Sequence, residues 1–162
     1  MIIGDPYRFA FLLERIPQWE SSHFNGLMFL LVNDSIYPKE VRTTTLCCEL
    51  PELLDAQSAL RNPVIDTALF RMESAECFRR IAEAVYPEDY EIDNDYRYLI
   101  PFQEINDSGF CVFAVSDGES VRILVGKREQ GARSFVEETV IPMDEYRRIA
   151  EQLQEFEQKL RR

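Results

Sequence analysis

The residues with the most chemical capacity in this sequence are concentrated in thirteen consecutive positions, 86–98. This stretch, the acidic-tyrosine segment, reads Tyr-Pro-Glu-Asp-Tyr-Glu-Ile-Asp-Asn-Asp-Tyr-Arg-Tyr. Five carboxylates and four tyrosines share it with one cation, Arg97, so it carries a net charge of −4 out of −11 for the whole chain. Carboxylates at this density suit three kinds of chemistry: cation binding, acid–base catalysis and attraction of a basic protein surface.

Calcium binding is the first of these. Asp93, Asp95 and Glu104 match positions one, three and twelve of a calcium-binding loop. However, Arg97 stands at the fifth position, and Tyr98 stands where the sharp turn of such a loop requires glycine. The pattern therefore predicts no metal site.

Acid–base catalysis needs carboxylates that act together. Asp93 and Asp95 would share a face only in an extended chain, and Glu137 and Glu138 point to opposite faces of a predicted strand. His23 is the single histidine, which excludes two-histidine metal sites, and no nucleophile motif surrounds it. We therefore predict that the protein is not an enzyme, although a small hydrolase using acidic residues stays open as an alternative.

Phosphate and cofactor binding find no support in the glycines. Gly126-Lys127 is followed by Arg128, whereas a phosphate-binding loop continues with serine or threonine. We predict no cofactor and no metal.

Attraction of a basic protein is the remaining possibility. The carboxylates steer the encounter, and the tyrosines supply contact area at low entropic cost. The predicted contact residues are Glu88, Asp89, Tyr90, Glu91, Asp93, Asp95 and Tyr96. The alternative is a polar connection whose tyrosines lie back on the core.

Composition sets the limits for the whole chain. Its 162 residues, 46% of them apolar, fit a single domain over 1–162 with a real core. A net charge of −11 argues against direct nucleic-acid or anionic-membrane binding. The four cysteines lack C-x-x-C spacing and read as reduced. The opening residues lack the features of a secretory signal, so we expect a cytoplasmic protein.

Periodicity and turn residues predict the elements that position these groups. Strands are predicted at 24–32, 36–37, 41–48, 98–105, 110–115, 121–125 and 135–141, and 7–16 is a strand or a short helix. Helices are predicted at 52–60 after Pro51, at 75–85 after an N-cap at Ser74, and at 143–160, whereas 64–72 is ambiguous. Turns are predicted at 33–35, at 117–118 and at Gly131. The architecture is α+β: an antiparallel meander of about six to eight strands with a long C-terminal helix and one or two further helices, packed mostly on one face.

Four short segments add a resemblance. They are Gly4–Tyr7, Tyr37–Glu40, Thr43–Leu46 and Cys48–Leu53. Together they resemble the immunity 42 family of bacterial polymorphic-toxin and contact-dependent growth inhibition systems, mainly over residues 1–55. The resemblance implies a cytosolic protein without enzymatic activity that binds and neutralises one cognate toxin domain. The acidity of the chain adds the hypothesis that the toxin has a basic surface, as a nuclease does. A general protein-binding adaptor is the competing interpretation.

Overall fold

Residues 1–19, 22–128 and 135–161 are described by the structure, a computed structural model. Their first sheet is antiparallel and contains β1 (Ile2–Asp5), β2 (Phe9–Arg15), β3 (Asn25–Val32) and β4 (Ser35–Tyr37) in that spatial order. A short strand, β5 (Thr44–Thr45), pairs with the beginning of β3, while β4 pairs with its end. The strand alternative for 7–16 is thus the one that forms.

The hairpin between β3 and β4 turns at Asn33 and Asp34, which have φ values of 47° and 67°. Asparagine and aspartate tolerate this left-handed conformation better than other non-glycine residues, and it matches the twist of a tight hairpin. The predicted turn is confirmed.

The second sheet contains β6 (Val64–Ile65), β7 (Phe110–Ser116), β8 (Ser120–Lys127) and β9 (Val136–Pro142) in that order. β6 runs parallel to β7, and the other pairs are antiparallel. Gly118, with φ of 101°, forms the predicted turn between β7 and β8. The turn predicted at Gly131 lies outside the described residues.

Five α-helices accompany the two sheets in the described part of the chain: α1 (Leu46–Leu53), α2 (Thr67–Phe70), α3 (Ser74–Val85), α4 (Gln103–Asp107) and α5 (Met143–Leu160). Short 3₁₀ turns occupy Pro17–Trp19 and Tyr96–Tyr98. None of these helices is long and apolar enough to cross a membrane.

The main core lies between the first sheet, one face of the second sheet, α1 and α5. In it the ring of Tyr146 on α5 stacks on Phe9 of β2 at a centroid distance of 5.8 Å. The Tyr146 hydroxyl donates a hydrogen bond of 2.8 Å to the Ala59 carbonyl, so this buried polar group is satisfied.

A second apolar cluster lies on the opposite face of the second sheet, under α3. There Phe78 of α3 packs against Phe113 of β7 at 5.0 Å between ring centroids. β7 is therefore buried on both faces, as its almost wholly apolar sequence predicts. The α+β class, the antiparallel sheets and the C-terminal helix are confirmed. In the described part of the chain, nine strands form two sheets. The helices α3 and α5 lie on opposite faces of the second sheet, whereas the sequence predicted helices mostly on one face.

Two predictions near Pro51 are wrong. The strand predicted over 41–48 is reduced to two residues, and α1 already begins at Leu46 and contains Pro51. Leu46, Leu50 and Leu53 are fully buried at helical spacing, so their packing outweighs the local signals of threonine and proline. The helix predicted over 52–60 ends at Leu53.

The strand predicted over 98–105 is also wrong. Only Leu99 forms a bridge, with Phe113, and α4 begins at Gln103. Pro101 has no N–H to donate to a ladder, while burial of Ile100, Phe102 and Ile105 explains the strand-like run of apolar residues.

Candidate protein-binding site

The acidic-tyrosine segment folds back along the C-terminal end of α3. The Asn94 side chain donates a hydrogen bond of 2.8 Å to the Val85 carbonyl, and the Asp95 N–H donates one of 2.8 Å to the Ala84 carbonyl. The last carbonyls of a helix have no partner within the helix, and these two bonds satisfy them. The segment is thus tied to a rigid element at its base.

The tip of the segment is a tight turn around Tyr90. The Asp89 carboxylate accepts a hydrogen bond of 2.9 Å from the Glu91 N–H, and its carbonyl accepts one of 3.1 Å from the Ile92 N–H. This local bonding is typical of aspartate in turns. It leaves the Tyr90 side chain fully exposed and Ile92 57% exposed.

The end of the segment is internally neutralised. Arg97 donates two hydrogen bonds to the Asp95 carboxylate, from Nε at 2.8 Å and from Nη2 at 2.7 Å. These bonds lower the pKa of the Asp95 carboxyl. Asp95 therefore serves the fold of the segment, and its charge is the least available of the predicted contact residues.

Two of the four tyrosines of the segment fit the interpretation as a contact surface, and two fit the interpretation as a connection packed on the core. Tyr98 is only 8% exposed and belongs to the cluster under α3, and Tyr86 is half-buried. Tyr90 and Tyr96 are exposed, although the ring of Tyr96 meets Tyr86 edge-on at 6.3 Å. Two rings thus lie back on the core, and two face solvent beside exposed carboxylates.

A groove of about 820 Å³ opens between α3 and the acidic-tyrosine segment, and we call it the α3 groove. Its apolar lining includes Ala75, Phe78, Ala82, Tyr86 and Val136. Its charged lining is Glu73, Glu76, Arg79, Glu83, Glu88, Asp89, Lys127 and Arg128. Of the predicted contact residues, Glu88, Asp89 and Tyr90 line this groove.

The charges on α3 are already paired. Arg79 binds Glu76 at 2.7 Å and also binds Glu83, and Arg80 binds Glu76 at 2.9 Å. Hydrogen bonds from the two guanidinium groups lower the pKa of Glu76 to about 2. By contrast, Glu88 and Asp89 form no ion pair within the described residues, so their charges stay available at the mouth of the groove.

One cation already rests on an aromatic ring of the groove. The guanidinium of Arg128, the residue that follows β8, lies 4.5 Å from the ring centroid of Tyr86. This distance is within the range of a cation–π contact. The groove thus accepts a guanidinium against its aromatic wall.

The model of the family described as Immunity protein 42 matches residues 1–156. The chain belongs to the immunity protein 42 family. The match confirms the resemblance and extends it from the first third of the chain to nearly all of it.

A solved structure shares the fold of this immunity protein 42 member. It is described as CdiI from Burkholderia dolosa AUO158, with a TM-score of 0.81 and 22% sequence identity. The similarity covers 94% of this chain and 97% of that chain. No curated protein sequence matches this chain.

The other carboxylates considered for catalysis have structural partners in this immunity protein 42 fold. Glu137 accepts a hydrogen bond of 2.5 Å from the buried Tyr37 hydroxyl, and Glu138 accepts one of 2.5 Å from Arg122. They lie on opposite faces of β9, as predicted. Within residues 1–19, 22–128 and 135–161, no group of three or more histidine, cysteine or acidic residues is placed to hold a metal ion.

His23 lines a separate cavity of about 440 Å³ together with Cys47 and Glu157. Its Nδ1 lies 2.7 Å from the Ser22 hydroxyl oxygen. Cys47 belongs to α1 and is half-buried, as is Glu157 on α5. The Glu157 carboxylate accepts a hydrogen bond from Arg161 at 2.6 Å.

Sequence reasoning predicted the helix over 75–85 but missed that it forms a wall of the α3 groove, and it missed two of the three cations of the groove, Lys127 and Arg128. The acidic and basic residues at positions 76, 79, 80 and 83 have the three- and four-residue spacing of an exposed helix face, which was the available signal. Nothing local in the sequence indicated that the end of β8 lies beside Tyr86.

Proposed function

We propose that this protein is the immunity protein of a contact-dependent growth inhibition system, and that it neutralises one cognate toxin domain by forming a tight non-covalent complex in the cytoplasm. The observation that carries the proposal is the family match over residues 1–156. The fold shared with CdiI from Burkholderia dolosa is consistent with it.

We propose the acidic-tyrosine segment as the contact surface. Glu88, Asp89, Glu91 and Asp93 are exposed and form no ion pairs among the residues that the structure describes. Unpaired exposed carboxylates raise the rate of encounter with a positively charged partner. The exposed ring of Tyr90 at the tip then supplies contact area, since tyrosine is enriched at protein interfaces.

The partner that fits this surface is a toxin domain with a basic surface, and a nuclease is the class whose substrate site is basic. Inhibition then follows either from covering that site or from binding beside it. The same acidity disfavours direct binding of the immunity protein to nucleic acid or to anionic membranes.

We further propose that the protein has no catalytic activity of its own. The paired carboxylates that an acidic hydrolase needs are engaged elsewhere: Glu137 with Tyr37, Glu138 with Arg122 and Asp95 with Arg97. The competing adaptor function predicts several partners rather than one.

We expect a toxin C-terminal domain to be encoded immediately upstream of the gene, and the test uses that domain. We expect that co-expression with the full chain restores growth, and that calorimetry of the purified proteins gives a 1:1 complex in the nanomolar range or tighter. Growth arrest despite equal expression, with no heat of binding, would falsify the proposal. An adaptor would instead co-purify with several unrelated proteins from the native cell.

A further inference from the structure

We infer that the α3 groove receives a basic segment of the toxin domain, with lysine or arginine side chains close to Glu88 and Asp89 and an apolar side chain against Ala82. The inference rests on the proposed function and deepens it. The interface is then centred on the groove between the acidic-tyrosine segment and α3 and not on that segment alone.

The size of the groove defines what fits. A volume of about 820 Å³ holds several side chains but not a whole domain face. The occupant is therefore a protruding segment of the partner. Both walls are secured, since α3 packs on the second sheet and the segment is tied to the α3 carbonyls of Ala84 and Val85.

The floor of the groove requires an apolar contact. Ala82 is half-buried and lines the groove beside Phe78, whose side chain is only 4% exposed because it packs into the cluster under α3. Val136 at the start of β9 is half-buried beside them. Burying apolar surface against such a floor stabilises a complex, and charges on the rim exclude mismatched partners.

The charge of the groove selects the sign of the partner. Five carboxylates and three cations line it, and Arg79 is committed to Glu76 and Glu83. Among the described residues, Glu88 and Asp89 at the mouth lack a cationic partner. A lysine or arginine from the toxin pairs with these two carboxylates.

Arg128 supplies an independent observation on the same point. Its guanidinium already rests 4.5 Å from the Tyr86 ring centroid within the groove. The protein thus places a cation of its own in the environment proposed for the cation of the partner. This contact shows that the aromatic wall of the groove accommodates a guanidinium group.

The decisive variant is Ala82→Trp, because it fills the groove without changing any charge. Its matched control is Ala68→Trp on α2, where the alanine is exposed. Against the purified toxin domain, we expect Ala82→Trp to raise the dissociation rate by about 30-fold or more, the effect of losing a central interface contact. The salt dependence of its association rate should stay that of the parent, and Ala68→Trp should bind like the parent. Parent-like binding by Ala82→Trp overturns the groove and leaves the proposed function intact, whereas absence of binding by the parent chain itself overturns the proposed function.

A second variant decides the matter if Ala82→Trp alters the fold, as judged by circular dichroism. Glu88→Lys with Asp89→Lys changes two exposed residues at the mouth, and Glu151→Lys with Glu155→Lys makes the same charge change on the exposed face of α5. We expect association at low salt to slow by about tenfold in the first pair and by less than about threefold in the second. If the association rate falls equally in both double variants, the groove is not the binding site.

Chemical labelling of the toxin tests the sign of the occupant. Lysine- and arginine-directed reagents should label fewer sites on the toxin domain in the complex than in the free toxin. The protected sites should be exposed again in the complex with Ala82→Trp. Equal labelling of every lysine and arginine in the free toxin and in the complex overturns the assignment of a basic segment.

Discussion

Glu49 on α1 accepts a hydrogen bond of 2.6 Å from the backbone N–H of Gln103, the first residue of α4. Glu49 as a whole is only 6% exposed. It thus ties two helices that the sequence did not predict, at a place where a charge is costly to bury.

Burial, opposed by the hydrogen bond from Gln103 and reinforced by the nearby carboxylates of Glu52, Glu104 and Asp107, raises the pKa of Glu49 to about 7. The folded protein therefore holds a proton on Glu49 that the unfolded chain releases near pH 4.5. The stabilisation from this proton is fully present below about pH 4.5 and is lost as the pH rises through 7.

We expect Glu49→Gln to remove this pH dependence, since glutamine keeps the acceptor for Gln103. Between pH 5 and pH 8, the free energy of unfolding of the variant should gain about 2 kcal/mol relative to the parent. Urea unfolding at both pH values measures the difference, with Glu151→Gln on the exposed face of α5 as control. A variant-to-parent difference that is the same at both pH values refutes the assignment.

Charge reversal of the exposed carboxylates tests the acidic-tyrosine segment as the steering surface. Changing Glu88, Asp89, Glu91 and Asp93 to lysine should slow association with the toxin domain by about tenfold or more at low salt, and should weaken the salt dependence. Asp95 is left unchanged because its bonds to Arg97 shape the segment. Stopped-flow mixing at two ionic strengths gives both quantities.

The control for that experiment carries the same number of reversals on other elements. Four exposed residues serve: Glu40, Glu119, Glu151 and Glu155. If both variants slow equally and keep the same salt slope, net charge alone governs the encounter and the segment has no special part.

Two tyrosines of the segment should behave oppositely on truncation. Tyr90→Ala should change the free energy of unfolding by less than about 0.5 kcal/mol, because its side chain is fully exposed. It should raise the dissociation rate of the complex by about tenfold or more. Tyr98→Ala should instead destabilise the fold by about 3 kcal/mol, since Tyr98 is buried under α3. Thermal melts and surface plasmon resonance separate the effects, and an unchanged dissociation rate for Tyr90→Ala removes that ring from the interface.

Substitution of Arg122 should destabilise the fold more than substitution of any other polar residue in the second sheet. It is 5% exposed, binds Glu138 at 2.5 Å, and donates to the carbonyls of Phe70 at 3.0 Å and Met72 at 2.6 Å. Arg122→Met should lower the free energy of unfolding by about 3 kcal/mol, because these acceptors lose their donor in a buried place. Guanidinium titration measures the loss. The double variant with Glu138→Leu should recover part of it, and a loss below about 1 kcal/mol contradicts the role.

The elements that were correctly predicted depend on local signals. The apolar stripe of α5, from Met143 to Leu160, repeats at helical spacing over five turns, which only one conformation satisfies. The hairpin at Gly118 needs a residue that adopts positive φ, and glycine does so without strain. Such signals depend only on residues close together in the sequence, so the tertiary environment does not change the local structure that they predict.

The start of α3 shows the limit of such signals. The sequence favoured Ser74 as the N-cap, but the Glu73 carboxylate accepts the hydrogen bonds from the N–H groups of Ala75 and Glu76, both at 3.1 Å. The Ser74 hydroxyl instead accepts a hydrogen bond from Arg122 of β8 at 3.1 Å. The Ser74 hydroxyl is thus engaged by a residue distant in sequence, and the adjacent Glu73 caps the helix.

The candidate site divides in the same way. Composition and spacing alone located the dense carboxylates and tyrosines of residues 86–98. Only the tertiary structure assigned Tyr98 to the core and Tyr90 to solvent, and only it placed Arg128 over Tyr86 to form one wall of a groove with α3. The physical reason is that charge and side-chain type belong to each residue, whereas burial and pairing depend on which strands and helices the chain brings together across long sequence separations.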